Sequence, residues 1–123
     1  MKKILFIEDE PALQNALSTT LEGGGYTLLS ALDGEIGLQT AQREKPDLIL
    51  LDLVLPKIDG FEVLKKLKEN HEMENIPVII LSNLEGSIDV ERALELGAKT
   101  YLVKTNYKLE EVVEKIKNIL SEK

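Results

Sequence analysis

Cysteine is absent from this sequence, and histidine occurs once, at His71, in a polar stretch beside Asn70 and Glu72. Without cysteine the chain can form neither disulfides nor thiolate metal sites, and the absence suits a reducing compartment. In these surroundings His71 is expected to be solvated and not to bind a metal. A metal site in this chain would therefore have to use oxygen ligands.

Long hydrophobic runs are also missing. Met1, Lys2 and Lys3 precede the apolar run Ile4–Ile7, which is too short for a signal peptide or a membrane span. Acidic residues follow this run at once. We therefore expect a cytoplasmic protein with no membrane association.

Basic charge is scarce: the chain has 15 lysine and arginine residues against 22 aspartate and glutamate residues, a formal net charge of −7. The field of such a chain repels phosphate groups, which argues against binding to nucleic acids or anionic membranes. A length of 123 residues suits one compact domain with its own core. We expect a single domain over residues 1–123.

Five short apolar runs alternate with five segments of helical periodicity, which predicts the α/β class with a parallel sheet. The predicted strands are Ile4–Ile7, Tyr26–Ala31, Leu48–Leu51, Val78–Leu81 and Lys99–Val103. The predicted helices begin at Pro11 or are capped by Asp33, Asp59 and Ser87, the fourth ends at Gly97, and the last has the apolar face Leu109, Val112, Val113, Ile116 and Leu120. As helix caps, Asp33 and Asp59 are excluded from any binding site.

Charged residues directly follow three of the predicted strands. Glu8 and Asp9 follow the first, Asp52 follows the third and Lys104 follows the fifth. In open α/β sheets, ligands bind beyond the carboxyl ends of parallel strands, so these side chains are expected to meet in one crevice. An isolated acidic pair would more simply favour the dipole of the following helix. Asp52 and Lys104 at matching strand ends instead favour a site.

Three carboxylates held together repel one another, so a cation or a proton must offset their charge. Oxygen ligands favour a hard divalent ion, and we expect Mg²⁺, with Mn²⁺ as a substitute. Lys104 and the Ser82 hydroxyl could hold phosphoryl oxygens while one carboxylate attacks phosphorus to give an aspartyl phosphate. The sequence has no P-loop, no Gly-x-Gly-x-x-Gly motif and no metal-binding histidine pair.

Four segments carry a family resemblance: IEDEP at 7–11, PDLILLDLVLPKIDG at 46–60, VIILS at 78–82 and GAKTYLVK at 97–104. In their order and spacing the chain resembles, essentially from end to end, a receiver domain of a two-component response regulator of the CheY-like, single-domain kind. The resemblance implies a flavodoxin-like (βα)5 fold, which is a doubly wound parallel five-stranded sheet with strand order 2-1-3-4-5.

The resemblance also implies a phosphoacceptor and a set of metal ligands. Asp52 would accept the phosphoryl group and bind the metal together with Asp9. Glu8 would act on the ion largely through water, and the backbone carbonyl of Val54 would complete the protein ligands. The phosphoryl donor would be a sensor histidine kinase or a phosphotransfer protein.

The resemblance also gives a role to Lys104, which assists catalysis, and to a switch formed by Ser82, itself also catalytic, and Tyr101. Lys104 would pair with the phosphoryl group, Ser82 would shift toward it, and Tyr101 would turn inward at the same time. A phosphoryl group adds nearly two negative charges, enough to bias a nearby loop between two arrangements. The face formed by the fourth helix, the fifth strand and the fifth helix would then bind a downstream target or form a homodimer.

Two positions depart from the family pattern. Thr105 stands where proline usually follows the lysine, and a cis peptide bond without proline costs about 2.5–4 kcal/mol, which puts the geometry of this loop in question. Asn83 stands where a small residue is common. It would either narrow the entrance to the site or donate a hydrogen bond to the phosphoryl group.

The leading prediction is a signalling switch that is not an enzyme beyond its own phosphorylation and dephosphorylation. One alternative is a Mg²⁺-dependent phosphohydrolase, but such enzymes usually carry a second acid two positions after the nucleophile, where this chain has Val54, and a cap segment. The other alternative is a phosphorylation-independent, receiver-like binding module, or a domain excised from a longer regulator.

Overall fold

Strands and helices alternate along the chain. In the computed structural model, which describes residues 1–121, the strands are β1 (Lys3–Ile7), β2 (Thr27–Ala31), β3 (Leu48–Leu51), β4 (Val78–Ser82) and β5 (Thr100–Val103). The helices are α1 (Pro11–Glu22), α2 (Gly34–Glu44), α3 (Gly60–Glu69), α4 (Ser87–Glu95) and α5 (Leu109–Leu120), and one 3-10 turn, Lys104–Asn106, follows β5. Glu122 and Lys123, the end of the predicted domain, lie outside the described residues.

All strand pairs are parallel, and their order is β2-β1-β3-β4-β5. This arrangement confirms the predicted doubly wound, flavodoxin-like sheet. The register brings the carboxyl ends of the strands to one edge, since Ile7 pairs with both Ala31 and Leu51, and Ser82 pairs with Val103. Residues that follow these strands therefore emerge at the same edge of the sheet.

Apolar side chains cover both faces of the sheet, because successive strand residues point to opposite sides. One face packs against α1 and α5 through a core of Ile4, Phe6, Leu17, Leu21, Leu48, Leu50, Ile79, Leu81, Leu102, Val112, Val113 and Ile116. The other face packs against α2, α3 and α4 around Leu5, Ile7, Ile49, Leu51, Val63, Leu64, Leu67, Val78, Ile80 and Ala93. The predicted apolar face of α5 thus packs on the sheet, as expected. None of the helices within residues 1–121 has the length and apolar character needed to cross a bilayer.

Three helix starts follow the predicted chemistry. Pro11 is the first residue of α1, where its fixed φ and missing N–H are tolerated. The Asp33 carboxylate accepts a hydrogen bond from the N–H of Ile36 at 2.8 Å, and the Asp59 carboxylate accepts one from the N–H of Phe61 at 2.8 Å. Both aspartates are therefore helix caps, as predicted.

The limits of α4 differ from the prediction. Ser87 is not its cap: Gly86 occupies the N-cap position in an extended conformation, and Ser87 is already the first helical residue. The cap, and with it the start of the helix, thus lies one residue earlier than the sequence suggested. The helix ends at Glu95 and not at Gly97, whose φ of 110° lies in the region that favours glycine.

Four strand limits also move by one residue, and the first is that of β1, which begins at Lys3, one residue before the predicted Ile4. β2 begins at Thr27, because the N–H of Tyr26 is bonded to the carbonyl of Leu21 at the end of α1. β4 continues through Ser82, and β5 begins at Thr100, one residue after the predicted Lys99. Strand ends are set by pairing with neighbouring strands, which hydrophobicity alone does not specify.

Candidate metal centre

Glu8 and Asp52 emerge side by side from the middle of the sheet. Ile7 of β1 pairs with Leu51 of β3. Glu8 and Asp52, which follow these two residues, therefore leave neighbouring strands at the same level. The N–H of Asp52 donates to the carbonyl of Ile7 at 3.0 Å, and the N–H of Glu8 donates to the carbonyl of Ala31 at 3.0 Å. These bonds extend the strand pairing and fix the backbone beneath both carboxylates.

Asp9 completes an acidic group with these two residues. Carboxylate oxygens of Glu8, Asp9 and Asp52 all lie within 4.8 Å of one another. Glu8 and Asp52 are buried, at 0% and 4% exposure, whereas Asp9 is exposed. Such a set offers only oxygen ligands with one open side, which suits a hard divalent cation that keeps some of its water.

Lys104 balances part of this charge. Its Nζ donates a hydrogen bond to Asp52 Oδ2 at 3.0 Å and lies 2.5 Å from Glu8 Oε1 as an ion pair. The contact with Glu8 lacks hydrogen-bond geometry, so Glu8 Oε1 is buried without a hydrogen bond from any residue in 1–121. The ion pair with Lys104 offsets the charge of this buried oxygen only in part, because Asp52 shares the same ammonium, and a bound cation would offset the rest. The donor set and this oxygen both fit a divalent metal.

The electrostatics of the site reflect its burial. Burial raises the pKa of Glu8 to about 7; the charge of Asp52 adds to this rise and the Lys104 ammonium opposes it. Burial alone would lower the pKa of Lys104, but its contacts with Glu8 and Asp52 raise that pKa above its usual range. Lys104 is therefore charged at neutral pH, while Glu8 takes up a proton more readily than an ordinary glutamate.

A cavity of about 290 Å³ opens over these groups, lined by Glu8, Asp9, Glu10, Asp52, Val54, Asn83 and Lys104. Val54 is 58% exposed, and its N–H donates to Asp52 Oδ1 at 3.2 Å. Asn83 is exposed on the wall of this cavity. The structure thus brings together five of the seven predicted site residues, namely Glu8, Asp9, Asp52, Val54 and Lys104.

Ser82 and Tyr101 are not among the residues that line this cavity. Ser82 is buried at the end of β4, and its Oγ accepts a hydrogen bond from the N–H of Leu84 at 3.4 Å. The Tyr101 hydroxyl donates to the carbonyl of Leu84 at 2.6 Å. Burial raises the pKa of Tyr101, and the charges of Asp89 and Asp52 add to the rise. Ser82 and Tyr101 are thus connected through the backbone of one residue.

The loop after β3 approaches α3 closely. The N–H of Gly60 donates to the carbonyl of Leu53 at 2.9 Å, and a Cβ at Gly60 would collide with the Asp52 carbonyl and the Leu53 Cα. Glycine is therefore required for α3 to begin against the end of β3. Lys57 in the same loop has a φ of 72°, which is unfavourable for a residue with a side chain. Across the site, the peptide bond between Lys104 and Thr105 is trans, as are all described peptide bonds.

The sequence-based prediction missed Gln14. This residue of α1 is only 3% exposed, and its Nε2 lies within hydrogen-bond distance of three backbone carbonyls: Phe6 at 2.8 Å, Glu8 at 3.1 Å and Ala31 at 3.2 Å. Its Oε1 accepts a bond from the Ser30 hydroxyl at 2.9 Å. The available signal was a polar residue on the same helical stripe as Leu17 and Leu21.

A larger cavity of about 550 Å³ lies at the opposite edge of the sheet, before β4 and β5. Lys68 on its wall donates to the backbone carbonyls of Glu74 and Ile76, both at 3.0 Å. Burial lowers the pKa of Lys68. The one metal-capable acidic group found within residues 1–121 lies at the other edge, so the smaller cavity is the better candidate site.

Comparison with known proteins agrees with this geometry. A model of the response regulator receiver domain family matches residues 4–117. The chain belongs to this family. The receiver domain is similar to the alkaline phosphatase synthesis transcriptional regulatory protein PhoP of Bacillus subtilis. The two are 42% identical over 119 aligned residues, and this alignment covers 97% of this chain and 48% of PhoP. The chain thus spans about half the length of that relative.

Solved structures also resemble this receiver domain. The crystal structure of the Mn²⁺-bound form of response regulator Rcp1 superposes with a TM-score of 0.86 at 33% identity, covering 99% of this chain and 96% of Rcp1. A CheY-like response regulator receiver domain protein from Methanospirillum hungatei JF-1 gives a TM-score of 0.90 at 28% identity, covering 98% of this chain and 94% of that one. One of these two relatives therefore holds a divalent metal.

Proposed function

We propose that this receiver domain is a phosphoacceptor switch of a two-component signalling system. Asp52 accepts a phosphoryl group in a Mg²⁺-dependent reaction from a sensor histidine kinase or a phosphotransfer protein. The observation that carries the proposal is the contact of Lys104 with both Asp52 and Glu8 inside an acidic group built only of oxygen ligands. Positioning and charge neutralisation are the main requirements of phosphoryl transfer, and this arrangement supplies both.

In the transfer step, a carboxylate oxygen of Asp52 forms a bond to phosphorus while the bond from phosphorus to the leaving atom of the donor breaks. The leaving group departs with that electron pair. Before transfer, the N–H of Val54 and the ammonium of Lys104 each hold one oxygen of Asp52. After transfer, Lys104 pairs with the phosphoryl oxygens. This step consumes the donor and leaves an acyl phosphate on Asp52.

The metal ligands in this proposal are Glu8, Asp9, Asp52 and the backbone carbonyl of Val54. When bound, Mg²⁺ neutralises charge on the phosphoryl oxygens during transfer. The buried Glu8 oxygen that lacks a hydrogen bond supports a cation at this position. The Mn²⁺-bound form of Rcp1 supports Mn²⁺ as a substitute.

Phosphorylation alters the face formed by α4, β5 and α5. The contacts of Ser82 and Tyr101 with the backbone of Leu84 support this route, because a shift of the Ser82 hydroxyl displaces the residue to which Tyr101 is bonded. On α4, Ile88 is 80% exposed and Leu94 is 46% exposed, which suits a surface that binds another protein. The output is a downstream target or a homodimer.

Catalysis in this proposal is limited to phosphorylation and dephosphorylation of Asp52 itself. No observation favours the phosphohydrolase or the phosphorylation-independent module. At the position where the hydrolase would need a second acid, Val54 presents an apolar side chain to the cavity. A single domain over residues 1–123 and a cytoplasmic location stay predictions.

The test is incubation of the purified protein with Mg²⁺ and acetyl phosphate, followed by intact mass. Wild type is expected to gain one phosphoryl group, with no gain in EDTA and none for Asp52→Asn. Asp59→Asn is the matched control, because it lies in the same loop and asparagine caps helices as well as aspartate does. Phosphorylation of Asp52→Asn, or failure of wild type in the presence of bound Mg²⁺, would contradict the proposal.

A further inference from the structure

Glu10 is a fourth acidic residue on the wall of the candidate site. Its N–H donates to Glu8 Oε2 at 3.1 Å, which fixes its backbone beside the cavity. It occupies the N-cap position of α1, but its side chain makes no capping hydrogen bond. The side chain is exposed and has no hydrogen bond or ion pair with any residue in 1–121. No described residue therefore neutralises its charge.

The charge balance of the cavity makes this residue important. The cavity is lined by four acidic residues, Glu8, Asp9, Glu10 and Asp52, and by one ammonium group, that of Lys104, which leaves three negative charges uncompensated when all are ionised. A divalent cation bound by Glu8, Asp9 and Asp52 would leave one, and Glu10 is the carboxylate outside that metal-capable group. A cleft lined by charge of one sign focuses its field on entering ions.

We propose that Glu10 is a specificity-determining residue that disfavours small phosphodonors in proportion to their negative charge. This inference rests on the proposed function and adds a donor preference to it. A free dianionic acyl phosphate is repelled by the Glu10 carboxylate and has no other contact with the protein that would offset this repulsion. A protein donor offsets the same repulsion with docking contacts elsewhere. Glu10 thereby makes phosphorylation of Asp52 depend on the partner and less on small metabolites.

The test compares two small donors at saturating Mg²⁺ and neutral pH: acetyl phosphate, a dianion, and phosphoramidate, which carries less net charge. Asp52 displaces acetate from the first and ammonia from the second, so the bond made to phosphorus is the same. Glu10→Gln keeps the side-chain size and removes the charge. At low ionic strength we expect its second-order rate with acetyl phosphate to rise by about three- to tenfold, and its rate with phosphoramidate to rise less.

Salt and a matched variant separate charge from shape. At an ionic strength of about 1 M the advantage of Glu10→Gln should largely disappear, because the screening length falls to about 3 Å. Glu35→Gln removes an exposed acid from the first turn of α2, which does not line the cavity, and should match wild type. Equal acceleration with both donors, or acceleration that high salt leaves intact, would overturn the proposal.

A metal titration provides a second readout that needs no phosphorylation. Removal of the Glu10 charge should weaken Mn²⁺ binding by about two- to threefold, and Glu35→Gln should leave it unchanged. Weaker metal binding alone predicts slower phosphorylation, so a faster reaction at saturating metal identifies the effect on the donor. If no variant is phosphorylated by either donor, the proposed function fails. An unchanged Mn²⁺ affinity in Glu10→Gln would separately show that its charge does not act in the cavity.

Discussion

Gln14 connects three parts of the chain beneath the candidate site. Its amide lies against backbone carbonyls at the ends of β1 and β2, and one of these belongs to Glu8. The Ala31 carbonyl also accepts the N–H of Glu8, so the same acceptor holds both residues. Buried polar networks of this kind stabilise a fold only when every member is satisfied. The position of Glu8 therefore depends on a side chain that never reaches the cavity.

We predict that Gln14→Met destabilises the protein by about 1–3 kcal/mol, because the buried carbonyls lose a donor that the apolar side chain cannot replace. The midpoint of urea unfolding measures this change. Gln42→Met is the matched control: Gln42 also makes two side-chain hydrogen bonds, but it is exposed on α2. Its replacement should cost less than about 0.5 kcal/mol. An equal loss of unfolding free energy in the two variants would show that the burial of Gln14 does not determine the size of the effect.

The acidic residues and the lysine could be predicted because each directly follows an apolar run, and strand ends in a parallel sheet share an edge. Gln14 could not, because its polarity at a stripe position is equally consistent with an exposed residue. The left-handed φ of Lys57 had no sequence signal either, since glycine or asparagine is expected there. In both cases the sequence pattern does not show where the neighbouring backbone lies in the folded chain.

Among the elements, α4 is the least firmly held helix. Ala93 is its only fully buried residue, whereas α3 buries five. The guanidinium of Arg92 lies 4.1 Å from the centroid of the Phe61 ring and joins α4 to α3. Segments with few buried contacts open at low free-energy cost. A helix held in this way can shift in response to a small change at the site.

We predict that Arg92→Gln speeds hydrogen exchange of the α4 amides by about two- to fivefold, because a cation–π contact at an exposed site contributes about 0.5–1 kcal/mol. Exchange in α1 and α5 should not change. Arg43→Gln is the control, since Arg43 is exposed on α2 and pairs with Glu44 at 3.2 Å. If Arg43→Gln has the same effect on α4, or Arg92→Gln has none, the contact with Phe61 does not hold this helix.

The order and type of the elements were predictable, whereas some of their limits were not. Short continuous apolar runs identify the central strands, which are buried on both faces, and helical periodicity identifies helices with one buried face. The start of α4 was placed on Ser87 because serine is a common cap. In the structure Gly86 already has the extended conformation of a cap, and the preceding loop decides that conformation. The residue preference for cap positions is thus weaker evidence for where a helix begins than the path of the preceding loop.

At the scale of the whole molecule, the site lowers the stability of the metal-free protein at neutral pH. The pKa of Glu8 is about 7 in the folded protein, against an ordinary value of 4.5, because the carboxyl is buried. The folded state therefore binds this proton more tightly than the unfolded state does. Stability from this group is highest below pH 4.5, falls as the pH rises toward 7 and is level above that. The contribution of Lys104 changes only at alkaline pH, because its pKa is raised above 10.5.

We predict that in EDTA the unfolding free energy falls by on the order of 1–3 kcal/mol between about pH 5 and pH 7.5. Thermal unfolding across this range measures the change. Glu8→Gln should remove most of this dependence, whereas Glu114→Gln, an exposed acid on α5, should retain it. Mg²⁺ should restore stability at pH 7.5 in wild type, because a bound cation favours the ionised carboxyl that burial penalises. A metal-free midpoint that rises from pH 5 to pH 7.5, or a fall of the same size in Glu8→Gln, would assign the pH dependence to other groups and remove Glu8 as the link between metal binding and folding.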